Sequence, residues 1–264
     1  MSSTAKMFKV VEPAANPAAR FTPAGRIAAA ATLVLGAGFQ LASWLTEPAA
    51  DGRTVDRLQW IADHPATANV AKVFDLLAMP FLFGTVLVYV LLSRQRSPRL
   101  AYAGGILLGT GMVGLSAVMG LETLEFALAQ DGRFDLTALA HVVDDVSAAP
   151  AITMALLLIP GAVLGLLTIA VALWRSDAVP RGAILLIPVF IVVDLFLQRG
   201  LAAHAISFIA ACWIAWAVCG AGRATPAMKD LSTASQGRLT HNTKEAVEHG
   251  EPRSSRSPEA QRAR

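Results

Sequence analysis

His141, Asp144 and Asp145 lie in the run His141-Val-Val-Asp144-Asp145. If that run is helical, an imidazole and two carboxylates share one face at i, i+3 and i+4. Such donors suit a divalent cation such as zinc or manganese, or a proton-linked site. Glu122 and Glu125 stand on one helix face a short distance upstream, followed by Asp131 and Asp135. Asp75, Asp194 and His204 come from other segments, and Lys72, three residues before Asp75, is placed to pair with it along a helix. The competing reading is an acidic amphipathic surface that meets only water. The run has no HExxH, no HxxxH and no EF-hand loop, so it leaves the metal undefined and specifies no cofactor.

Other chemistries lack their residues. No Walker A loop, G-x-S-x-G elbow or G-x-G-x-x-G turn is present. Haem ligation needs two histidines in facing helices at similar depth, and His204 is the only histidine within an apolar run. His241 and His249 fall in the C-terminal tail.

The elements that must position these groups are written in the apolar windows. Apolar residues make up 55% of the 264-residue chain and charged residues 16%; soluble domains carry roughly 25% charge. A run of about 20 apolar residues spans a bilayer as a helix that satisfies its own backbone. Six such spans are expected: about 27–45, 70–92, 100–121, 151–174, 182–197 and 201–219. The fifth is short and contains Pro188, so a re-entrant hairpin of the last two is the alternative. The fold class is therefore all-α, a polytopic transmembrane helix bundle. It divides into an N-terminal arm (1–26), the six-helix domain (27–221) and a tail (222–264) too polar to fold. The first apolar run starts too far into the chain, and is too long, for a cleaved signal peptide.

Loop charge predicts orientation. Lys6, Lys9, Arg20, Arg26, Arg94, Arg96, Arg99, Arg175, Arg181 and the basic tail fall on one side. The acidic residues named above, with Glu47, Asp51, Asp56 and Asp63, fall on the other. Positive residues mark cytoplasmic ends. The expectation is a multi-pass plasma-membrane protein with both termini cytoplasmic and the candidate cluster at the outer face. The net charge of +3 averages two opposed faces and implies no nucleic-acid partner.

Within the spans, Gly105 with Gly109 and Gly161 with Gly165 have GxxxG spacing, which lets helices approach closely in lipid. Packing inside one bundle is the first use of such stripes, and a homo-oligomer or a membrane partner protein the second. Pro80, Pro160 and Pro188 favour kinks. Cys212 and Cys219, seven residues apart on one helix, read as packing residues and not as a disulfide.

Three segments carry a resemblance: Phe39-Gln40-Leu41 to Glu47-Pro48, Trp60-Ile61-Ala62-Asp63-His64-Pro65, and the basic turn Arg94 to Arg99 before a glycine-rich span. Over about 25–220 the chain is similar to multi-spanning, DUF4386-type membrane proteins of high-GC Gram-positive bacteria. The resemblance implies a six-helix bundle and transfers no catalytic residue. Three functions compete: a non-enzymatic envelope or accessory protein in the bilayer, a small transporter or channel, and an outer-leaflet metal-dependent enzyme using the acidic/His cluster.

Overall fold

The computed structural model describes residues 18, 21–47, 53–145, 149–197 and 200–221. The expected disorder of the tail falls outside these residues, as does that of the N-terminal arm save Ala18 and 21–26. The helices are α1 (Pro23–Thr46), α2 (Thr54–Asp63), α3 (Pro65–Ser93), α4 (Pro98–Gln130), α5 (Leu136–Asp144), α6 (Ala149–Ser176), α7 (Arg181–Ile191) and α8 (Gly200–Gly220). A π-helical segment, Val192–Phe196, continues α7. No strand occurs among the described residues.

Local sequence sets several boundaries. Pro23, Pro65 and Pro98 occupy first helical positions, where a missing N–H costs nothing. Thr22 Oγ1 accepts from the Gly25 N–H at 3.1 Å and caps α1. Asp135 Oδ1 accepts from the Thr137 N–H at 2.9 Å and caps α5.

Among the described residues, five helices are long and apolar enough to cross a membrane: Pro23–Thr46, Pro65–Ser93, Pro98–Gln130, Ile152–Ser176 and Gly200–Gly220. The expected fifth span is not among them. Its α-helical part has 11 residues and its π-helical part five, fewer than the about 20 that 30 Å of hydrocarbon requires.

The close contacts reveal the topology. Gly36 packs on Phe81, and Gly84 on Thr32. Residue numbers rise on α1 as they fall on α3, so the two helices are antiparallel. The same holds for α1 and α8 (Gly38 on Phe208, Gly200 on Trp44) and for α7 and α8 (Gly182 on Trp213, Phe190 beside His204). Lys72 reaches Glu122, while Gly105 packs on Val90, so α3 and α4 are antiparallel too. These pairings place Thr22, Arg94, Arg181 and Gly220 at one end of the bundle and Thr46, Lys72, Glu122, Asp194 and His204 at the other. The first is the basic end: Arg96 pairs with Asp177 at 2.8 Å, and Arg181 lies 5.4 Å from the Trp174 ring.

The seam of α4 and α6 is the tightest approach. A Cβ on Gly111 would stand 2.5 Å from the Ala162 nitrogen, and one on Gly165 2.5 Å from the Leu108 nitrogen. Gly104, Gly114 and Gly161 complete the seam. The GxxxG pair Gly105/Gly109 does not form it. Gly105 faces Val90 of α3, and nothing lies within 4 Å of a Cβ on Gly109. One turn of helix separates the glycines correctly, but the face that meets α6 is offset from theirs. Gly109→Ala is therefore expected to raise stability by about 0.5–1 kcal/mol, because alanine loses less backbone freedom in a helix. A melting temperature lowered by that change would contradict the register.

The polar end carries a second small core. Leu58 and Ile61 of α2 are fully buried against Ala68, Phe126, Ala129 and Ala140. This core docks the short α2 and α5 together across the end of α4.

Candidate functional site

Lys72 is the hub of the acidic end. It is 5% exposed on α3. Its Nζ donates to Glu122 Oε2 at 2.7 Å and to Asp75 Oδ2, one turn further along, at 3.3 Å. It also sits 4.7 Å from the centre of the Phe126 ring. Arg57 of α2 lies over the same ring at 5.7 Å. Its Nε donates to Glu47 Oε1 at 3.1 Å, and its Nη1 stands 3.7 Å from Glu125 Oε2. Burial opposes the Arg57 charge, but Glu47, Glu122 and Glu125 outweigh it and raise the guanidinium pKa above its ordinary value. Phe126 thus holds two cations by its faces, and the cations hold four carboxylates.

Beside this network is a cavity of about 390 Å³. α1 supplies Gln40, Ser43 and Trp44; α3 and α4 supply Asp75 and Glu122; the π segment supplies Asp194, and α8 supplies His204. Ser43 and His204 are 2% and 8% exposed, and neither side chain has a hydrogen-bond partner among the described residues. His204 is held by rings instead. It stacks on Trp44 at 5.3 Å and 28°, and meets Phe190 at 5.9 Å and 58°. Asp194 likewise lacks a hydrogen bond or ion pair among the described residues. Behind the cavity a second, apolar chamber of about 280 Å³ runs between α3, α4, α6 and α7. Gln40, Leu115 and Asp194 line both.

The sequence candidates therefore separate into two groups. Asp75, Glu122, Asp194 and His204 line one cavity, and Glu125 adjoins it through Arg57. His141, Asp144 and Asp145 do not join them. All three are exposed, His141 and Asp144 on α5 and Asp145 at its C-terminal cap, and Asp144 Oδ1 accepts from the Thr54 hydroxyl of α2 at 2.5 Å. The i, i+3, i+4 spacing is real, but the helix that carries it lies outside the bundle. No group of three His, Cys, Asp or Glu placed to hold a metal ion occurs among the described residues. Each of Asp75, Glu122 and Glu125 faces a fixed cation instead.

Arg57, Gln40, Ser43 and Phe190 are site residues that sequence alone did not single out. Gln40 had a signal, as an amide four residues from Trp44 in an otherwise apolar run. Ser43 and Phe190 had none, since serine and phenylalanine are ordinary within membrane helices.

No protein-family model, no curated protein and no solved structure matches this chain.

Proposed function

We propose that this chain, whose five long apolar helices among the described residues make it an integral membrane protein, is a non-enzymatic protein of the plasma membrane that crosses six times, with both termini cytoplasmic. The observation that carries this reading is the antiparallel pairing of α1 with α8. The start of α1 and the end of α8 share the basic end, as an even number of crossings requires. The sixth crossing is α7 with its π extension, too short to span as a regular helix but reaching from Arg181 at the basic end to Asp194 at the acidic one. Arg26, Arg94, Arg96, Arg99, Arg175 and Arg181 then face the cytoplasm.

A non-enzymatic role is supported by the cavity itself. Ser43 and His204 both line it, but the imidazole makes no hydrogen bond to the hydroxyl or to Asp194. The cavity therefore holds no assembled nucleophile–base pair, the arrangement by which a serine hydroxyl is activated. One observation favours a second reading, a small transporter. Asp194 sits in a π-helical turn just after Pro188, and such turns interrupt helices where a ligand is handled.

Reporter fusions after residue 221 test the topology. A cytoplasm-dependent reporter is expected to be active there, and an export-dependent one silent. The reverse pattern would overturn the six-crossing reading.

A further inference from the structure

We propose that the acidic-end cavity and the apolar chamber behind it form one binding site for a lipophilic monocation: an onium ion or protonated amine with an apolar body. The inference rests on the membrane-integral reading above and gives that cavity a ligand class.

Charge comes first. Lys72 answers Asp75 and Glu122, and Arg57 answers Glu47 and Glu125. Asp194 has neither a hydrogen bond nor an ion pair among the described residues, and it stands where the two spaces join. A carboxylate at a membrane-helix boundary with no partner is costly, and a cation brought by a ligand supplies the missing partner. The surrounding excess of acids over bases disfavours an anion at the same point.

Shape and surface come second. Beside the carboxylate, Trp44 and Phe190 flank His204 with their rings at 5.3 and 5.9 Å. Aromatic faces attract weakly hydrated cations through their negative quadrupole. His204 and Ser43 line this space, and neither side chain has a hydrogen-bond partner among the described residues. The chamber beyond is walled by Leu108, Met112, Leu158 and Leu166. An apolar volume behind a few convergent polar groups is the usual build of a small-molecule site. A strongly hydrated inorganic ion would gain nothing from those leucines. A cation with an apolar body uses both halves.

The test is equilibrium binding to the full chain in lipid nanodiscs. The probes are tetraphenylphosphonium and tetraphenylborate, which match in shape and differ in the sign of charge. Saturable phosphonium binding is expected, with no borate binding above that of empty discs. Asp194→Asn is expected to weaken phosphonium binding about tenfold or more, by removal of the opposite charge. Leu115→Trp, at the junction of the two spaces, is expected to abolish it. Without ligand, Asp194→Asn should melt at or above the native temperature, because the uncompensated charge is gone, and Leu115→Trp should not melt below it; a variant that melts lower is replaced by Gln40→Leu at the same junction. Equal binding of the two ions, or equal phosphonium binding by the native chain and Asp194→Asn, would overturn the proposal. A chain that enters nanodiscs and binds neither ion also overturns it, while the membrane reading stands. A chain that does not enter them fails the membrane reading itself.

Discussion

Lys72→Met is expected to destabilise the bundle by about 3 kcal/mol, the lower end of what breaking a buried ion pair costs. Methionine keeps the length of the stem and removes the charge. Asp75 and Glu122 are then left facing each other across α3 and α4 without a cation, at a site where Lys72 is 5% exposed. The lower end applies because the Glu122 side chain keeps 25% of its exposure and water can answer part of its charge. The cost is in the orphaned carboxylates more than in the lost bonds. A triple variant, Lys72→Met with Asp75→Asn and Glu122→Gln, should therefore recover most of the loss. Thermal melts of the purified protein in detergent measure both. A single variant that melts with the native protein, or a triple variant no better than the single, would contradict the hub.

Gly111→Val is expected to have an effect as large, through shape alone. The new Cβ would meet the Ala162 nitrogen at 2.5 Å and the Gly161 carbonyl carbon at 2.9 Å. These are backbone atoms, so no side chain can rotate away. Overpacking ordinarily costs about 1–3 kcal/mol and more where the backbone must move. Helices in lipid are held by close van der Waals fit, so parting α4 from α6 removes much of what joins them. Gly109→Val, two residues away and facing open space, is the control and should retain a monodisperse, folded protein. Equal damage from both would place the seam elsewhere.

These two sites mark what sequence could and could not convey. The long helices were legible because a hydrocarbon core demands about 20 apolar residues in a row, and five segments supply them. The α7 segment was legible as apolar but not as a short helix ending in a π turn. That geometry depends on backbone hydrogen bonds such as the Leu197 N–H to the Val192 carbonyl, which composition does not encode. The helix α2 was missed because only Leu58 and Ile61 of its ten residues bury fully, so no apolar run announces it. Without that helix, nothing in the sequence aims Arg57 at Glu47 and Glu125. Glycine spacing identified α4 and α6 as close-packing helices, but α4 carries glycines on several faces, and only the partner decides which face closes.

The candidate site was legible by connectivity alone. Asp75, Glu122, Asp194 and His204 lie near the ends of four elements that reach the same boundary, and they line one cavity. Lys72 with Asp75 was readable at i, i+3, whereas its shorter bond to Glu122 crosses 50 residues of sequence. His141, Asp144 and Asp145 stood out by spacing. Spacing fixes which residues share a face, not which way the helix turns that face, and α5 turns it to the exterior.

The most direct test of the six-crossing account is side-specific labelling of single cysteines in intact cells, after replacement of Cys212 and Cys219 by alanine. Asp56→Cys on α2 and Leu197→Cys just after the π segment stand at the acidic end, and both positions are exposed. Arg96→Cys and Asp177→Cys stand at the basic end. A membrane-impermeant thiol reagent is expected to label Asp56→Cys and Leu197→Cys from outside, and Arg96→Cys and Asp177→Cys only after the cells are opened. Labelling of Leu197→Cys together with Asp177→Cys, on the inner side alone, would show that the α7 segment does not cross and would contradict the account.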